Sequence, residues 1–128
     1  MMMLELIVPD AGGLRKGESV VSISGKFSRI LLYKEAYAEM KRCCGEDFEY
    51  VQFFSDRQEP DRFWIKPATK EALGRARIVL NQANATRTIS VAHLLKVLNW
   101  DLEQSVRCPM RWDEENSAAV VLTGQTEV

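Results

Sequence analysis

The sequence predicts a small, barrel-like α+β domain made of two pseudo-symmetric units, each a strand–strand–helix–hairpin. Three observations point there. An apolar pattern repeats at a spacing of 58 residues: Val20-Val21-Ser22-Ile23 answers to Ile78-Val79-Leu80-Asn81, and Arg29 through Tyr33 to Arg87 through Val91. Within each copy the apolar period changes from two to about 3.6 and back to two. The 128 residues, 46% hydrophobic and 27% charged, suit one soluble globular domain able to bury a core. By this reading residues 1–18 form an N-terminal extension or a first strand. The first unit is 19–66, the connector 67–77, the second unit 78–122 and the tail 123–128.

Ser19–Ser24 alternates and is read as a strand turning at Gly25-Lys26, where glycine permits positive φ. Arg29–Tyr33 is rich in β-formers. From Lys34 to Lys41 strong helix formers take over, with Tyr33, Ala36, Tyr37, Met40 and Cys44 on one stripe and Gly45 as the stop. Phe48–Phe54 is the next strand; its alternation buries Phe48, Tyr50 and Phe54 and exposes Phe53. A polar turn at Ser55–Arg62 precedes a strand at Phe63–Lys66, which Pro67 ends, and Thr69–Gly74 is read as one capped helical turn.

The second copy follows in the same order. Ile78–Gln82 and Arg87–Ile89 are strands, joined by a turn in which Asn84 stands in for glycine. Ser90 is the expected N-cap of a helix over Val91–Trp100. Ser105–Trp112 alternates with Val106, Cys108, Met110 and Trp112 on one face, and Pro109 marks it as an edge or bulged strand. Ala118–Leu122 returns, with a turn one residue shorter than in the first copy.

Composition narrows the function classes. A net charge of -1 and a pI near 5.9 mean that any nucleic-acid surface is a local patch. Residues 19–66 carry eight basic and eight acidic side chains, the connector three and one, and 78–124 four and five, so only the connector has positive excess. Met1–Val8 is apolar, but Glu5 interrupts it and no basic segment precedes it, which fits neither a signal peptide nor a membrane span. Three cysteines, two of them adjacent, fit free thiols in a reducing cytoplasm.

The run SISGKFSRILLYKEAYAEM, followed by FEYVQFFSDRQEPDRFWIKP, resembles the swapped-hairpin unit of the AbrB/SpoVT family. Arg29 matches the family's arginine, Ile30 and Leu32 its aliphatics, Lys34-Glu35 its helix start, and Lys66-Pro67 its closing pair. Arg87 through Leu122 matches more loosely; across the two copies Ser28 and Thr86 stand in the glycine position and Tyr33 and Val91 in place of proline, and Ala92-His93 replaces the lysine-glutamate in the second. The resemblance implies a tandem barrel and a cytoplasmic bacterial regulator of transcription, or an antitoxin-like protein, that binds duplex DNA. It also implies homo-oligomers or protein partners, since family members are typically interlaced homodimers.

Candidate residues follow from these two lines. Arg29 and Arg87 are taken as symmetry-related contacts to phosphates or base edges, because the guanidinium fork fits both. Lys26 adds a contact from the neighbouring turn, and Arg75, Arg77 and Arg15-Lys16 extend the patch. The plainer alternative is that these arginines are solvated or paired with carboxylates. A competing class is a non-catalytic protein-binding or assembly module that has kept the barrel and lost DNA binding, with Phe53 and Trp64 as interface anchors. No catalytic constellation surrounds His93, the single histidine, so no enzyme is expected. Adjacent Cys43-Cys44 lacks the spacing of structural zinc, so the sequence calls for neither metal nor cofactor.

Overall fold

The computed structural model describes residues 19–101, 103 and 105–124; the expected extension at 1–18, with Arg15-Lys16, and the end of the tail lie outside them. Ten elements follow one another: β1 (Val20–Ser24), β2 (Arg29–Leu32), α1 (Lys34–Cys44), β3 (Tyr50–Ser55), β4 (Arg62–Ala68), β5 (Ala76–Asn81), β6 (Thr86–Ser90), α2 (Ala92–Val97), β7 (Ser105–Asp113) and β8 (Ala118–Leu122). The eight strands close into a barrel in the order β1-β2-β6-β5-β3-β4-β8-β7, with every neighbouring pair antiparallel. Exchanging the two units leaves that order unchanged. β1 pairs with β7 of the other unit and β5 with β3, while β2–β6 and β4–β8 join like strand to like.

Strand alternation sends one side chain in two into the barrel. Val21, Ile23, Ile30, Leu32, Val51, Phe63, Ile65, Ile89, Cys108 and Val121 are at most 1% exposed and fill it. α1 packs against β7, β1, β2 and β6. α1 places Ala36, Tyr37 and Met40 in the core, and its end is set by Gly45, whose φ of 86° is left-handed and whose N–H reaches the Lys41 carbonyl at 2.9 Å. α2 is shorter than expected and contributes Leu95.

Several expectations need correction. The two first hairpins repeat at 57 residues, not 58: Val21 pairs with Leu32 as Ile78 pairs with Ile89. The left-handed residue closing each turn follows the same spacing, Ser28 at φ 50° and Ala85 at φ 58°, so neither Gly25 nor Asn84 fills that role. The extra residue of the second copy enters between strand and helix. Ser90 ends β6, and the N-cap is Val91, which makes no side-chain capping bond. The second hairpin turn is shorter by more than one residue, 114–117 against 56–61.

In β3 the expected faces are reversed. Phe53 faces inward, its ring 6.3 Å from Phe63, and Phe54 is 47% exposed. Phe48 set the wrong phase: it is buried, but in a loop, stacked on Tyr37 at 4.8 Å, so it does not belong to the alternating series. Pro67 does not end β4, which runs on to Ala68 where only β3 flanks it. Residues 69–75 form turns, not a helix. Pro109 lies in a strand paired on both sides. Met110 donates toward β1, so the missing N–H of Pro109 faces β8, one residue outside that ladder.

Truncating the central ring tests this core. Phe63→Ala should cost about 3–5 kcal/mol in urea unfolding, whereas Phe27→Ala, at the 62%-exposed tip of the first hairpin, should stay within about 0.5 kcal/mol.

Candidate nucleic-acid interface

β1, β2, β6 and β5 make one continuous wall of the barrel. Residues 19–33 and 76–91, which build these strands and their turns, contain no carboxylate and carry Lys26, Arg29, Arg77 and Arg87. The acidic side chains Asp56, Glu59, Asp61, Asp113, Glu114 and Glu115 fall instead on the opposite hairpins, β3–β4 and β7–β8. The same two hairpins also carry Arg57, Arg62, Lys66, Arg107 and Arg111, so that side of the barrel is nearly neutral while the β1-β2-β6-β5 wall carries cations alone.

The register decides which cations share the outer face. Arg29 alternates with the buried Ile30 and Leu32, so it points outward. It lies opposite Ser24 on one side and Ser90 on the other, and Ser24 in turn faces Ser105. Arg77 stands one residue before the Ile78–Ile89 pair, on the outward phase and beside Ser90. Arg75 has the same phase just before β5, and Lys26 sits in the β1–β2 turn. At that turn Arg29 Cζ lies 4.9 Å and Lys26 Nζ 5.7 Å from the centre of the exposed Phe27 ring. Arg29 Nε is buried without a hydrogen-bond partner among the described residues. Lys26, Arg29, Arg75 and Arg77 thus share a wall studded with the hydroxyls of Ser22, Ser24, Thr88 and Ser90.

Arg87 does not join them. It pairs with Leu32, whose side chain is in the core, and so belongs to the inward phase. Its guanidinium carbon lies 3.6 Å from the centre of the Tyr37 ring, and Nη1 donates to the Ala85 carbonyl at 3.1 Å. Tyr37 is held in turn by its hydroxyl donating to the Phe48 carbonyl at 3.1 Å. The residue of the second unit that answers to Arg29 is Thr86, buried and hydrogen-bonded to Asn84. The expected symmetric arginine pair is absent.

A second surface lies across the barrel. Phe54 of β3 and Trp64 of β4 are cross-strand neighbours on the outer face and line a cleft of about 590 Å³ between two hairpin tips. Trp64 is oriented by its indole N–H, which donates to Asp113 Oδ2 at 2.9 Å. Asn116 donates to the same oxygen at 2.7 Å, and these two bonds, that from Asn116 first, hold the Asp113 carboxyl below its usual 3.8.

The remaining candidates are dispersed. His93 is exposed on the first turn of α2. Cys43 and Cys44 are half-buried at the end of α1, while Cys108 is buried inside β7, where desolvation pushes its thiol up to about 12. No group of three or more potential metal ligands occurs among the described residues. None of their helices is long and apolar enough to cross a membrane. No family model, curated protein or solved structure matches this chain.

Two measurements follow from this geometry. Because the folded Asp113 pKa is depressed, its contribution to stability is present above the unfolded value and is lost as pH falls through the folded one. The Trp64 indole N–H resonance should shift in acid with a midpoint below 3.8, and Asp113→Asn should abolish that transition. With a thiol reagent at pH 8, Cys43 and Cys44 should react while Cys108 reacts only on unfolding.

Proposed function

We propose that this protein is a DNA-binding regulator of AbrB type, holding duplex DNA on the wall formed by β1, β2, β6 and β5. One observation carries the reading: this wall has Lys26, Arg29, Arg75 and Arg77 on or beside its outer face and no carboxylate in its strands or turns. The strand exchange between the two units supports the swapped-hairpin likeness. Backbone phosphates are the natural partner of such a wall, with arginines supplying charge and serine and threonine hydroxyls supplying hydrogen bonds. Arg29 and Arg77 flank Ser90 and stand two strands apart, about 10 Å at ordinary strand spacing. The opposite hairpins mix six acidic with five basic side chains, so the carboxylate-free wall is the face that attracts a polyanion.

A second reading is a protein-binding or assembly module that does not use DNA. The Phe54–Trp64 cleft favours it, with Phe54 in the place first given to Phe53.

Polarization titrations against random-sequence duplex DNA separate the two. With four phosphates neutralised, log K should fall with log salt at a slope of about -3.6. Arg29→Ala and Arg77→Ala should each reduce that slope by about 1, and Arg87→Ala should leave it unchanged. Absence of binding at low salt, or a slope insensitive to Arg29 and Arg77, rejects the DNA reading. Capture of a stoichiometric protein partner that is lost in Trp64→Ala would then support the second.

A further inference from the structure

The two units are not equally closed, and the difference defines a slot. In the first unit β1 is covered along its whole length by β7, from Val20 opposite Pro109 to Ser24 opposite Ser105. In the second, β5 is paired with β3 only at Ala76 and Arg77, and one further bond runs from the Ile78 N–H to the Glu49 carbonyl at 2.8 Å. Residues 46–49 then leave the line of the strand to bury Phe48 against Tyr37. Beyond Ile78 no strand pairs with this edge of β5 among the described residues. Val79 and Leu80 are 59% and 46% exposed there, beside a cleft of about 560 Å³ with Phe48 and Glu49 on its far bank.

The backbone of this edge is oriented for pairing. The Ile78 N–H points toward β3, so by the two-residue period the N–H and C=O of Leu80 point the same way, into the cleft. Val79 and Asn81 direct theirs to β6. The Arg87 guanidinium also lines the cleft, held on the Tyr37 ring, and among the described residues no carboxylate pairs with it. Asp47, on the rim, is already engaged by Lys41 at 3.0 Å.

We propose that the open edge of β5 binds an extended peptide segment of a partner protein, added antiparallel along Ile78–Asn81, with a carboxylate of that segment received by Arg87. The ladder that covers β1 shows the form of the missing strand, and exposed edges recruit strands in this way. A second copy of the chain fits less well. Its β5 contains no carboxylate to offer Arg87, and each copy's own 46–49 segment would overhang the joint. The slot and the basic wall share β5 and meet at Arg77, which also lines the cleft, but the Leu80 and Arg87 variants leave Arg77 in place, so this inference and the DNA reading fail separately.

The test uses an acetylated peptide of alternating threonine and valine ending in aspartate with a free carboxylate, and a control peptide ending in asparagine amide. The first should bind saturably and slow hydrogen exchange at the Leu80 amide at least tenfold, with Val79 unchanged. Leu80→Pro removes the N–H that faces the cleft and spares the β5–β6 ladder; it should weaken binding at least tenfold. Arg87→Gln should weaken the carboxylate peptide several-fold and the amide control little. The proposal is overturned by absence of saturable binding to the wild-type chain, by unchanged Leu80 exchange in the bound state, or by full affinity in a folded Leu80→Pro variant. A concentration-dependent dimer lost in Leu80→Pro, without peptide binding, would assign the edge to self-association and overturn it as well.

Discussion

Each first hairpin of the barrel finds its outer hydrogen-bonding partner in the other half of the chain, β1 on β7 and β5 on β3, and the two seams β2–β6 and β4–β8 complete the ring. Backbone donors and acceptors must be paired wherever water is excluded, so neither half can bury its apolar face alone. Closure of the ring, more than any single contact, lets Ile30 meet Ile89 and Phe63 meet Val121 across the seams in a shared interior. The short segment 69–75 makes the exchange intramolecular, so it does not depend on protein concentration as an interlaced dimer would.

Register then governs function, because a slip of one residue turns every side chain to the other face. Pattern matching places Arg87 opposite Arg29 in the pseudo-symmetry, while hydrogen bonding pairs Arg87 with Leu32 and sends it inward. Apolar blocks and the two arginines align at a spacing of 58; within the first hairpins the burial of Val21 and Leu32 against Ile78 and Ile89 favours 57. The same ambiguity affects β3, where adjacent Phe53 and Phe54 fit either phase and Phe48, buried from a loop, tips the choice the wrong way.

What the sequence does disclose is the order of elements and most of the core. The strand–strand–helix–hairpin series, the Gly45 stop and the inward face of β7 follow from period and cap chemistry. The basic wall was also present in the residues but hidden by the grouping. Each unit contributes one carboxylate-free hairpin, and acids elsewhere, such as Glu35, Glu39, Glu46, Asp47 and Glu49 on α1 and the loop after it, bring the sum by unit near neutral. Regrouping by which hairpins lie side by side needs the β2–β6 seam, a contact between residues about sixty positions apart that no local pattern reports.

The single-chain construction has a further consequence. In an oligomer of identical subunits, any feature of one subunit recurs on the other, and whatever binds across the axis must share that symmetry. Here Arg29 has Thr86 as its counterpart, and the fully laddered β1 has the half-bare β5. Halves joined in one chain need not copy each other. The molecule keeps a two-fold skeleton under a polar, one-directional skin, and a partner laid across it can be read only one way round.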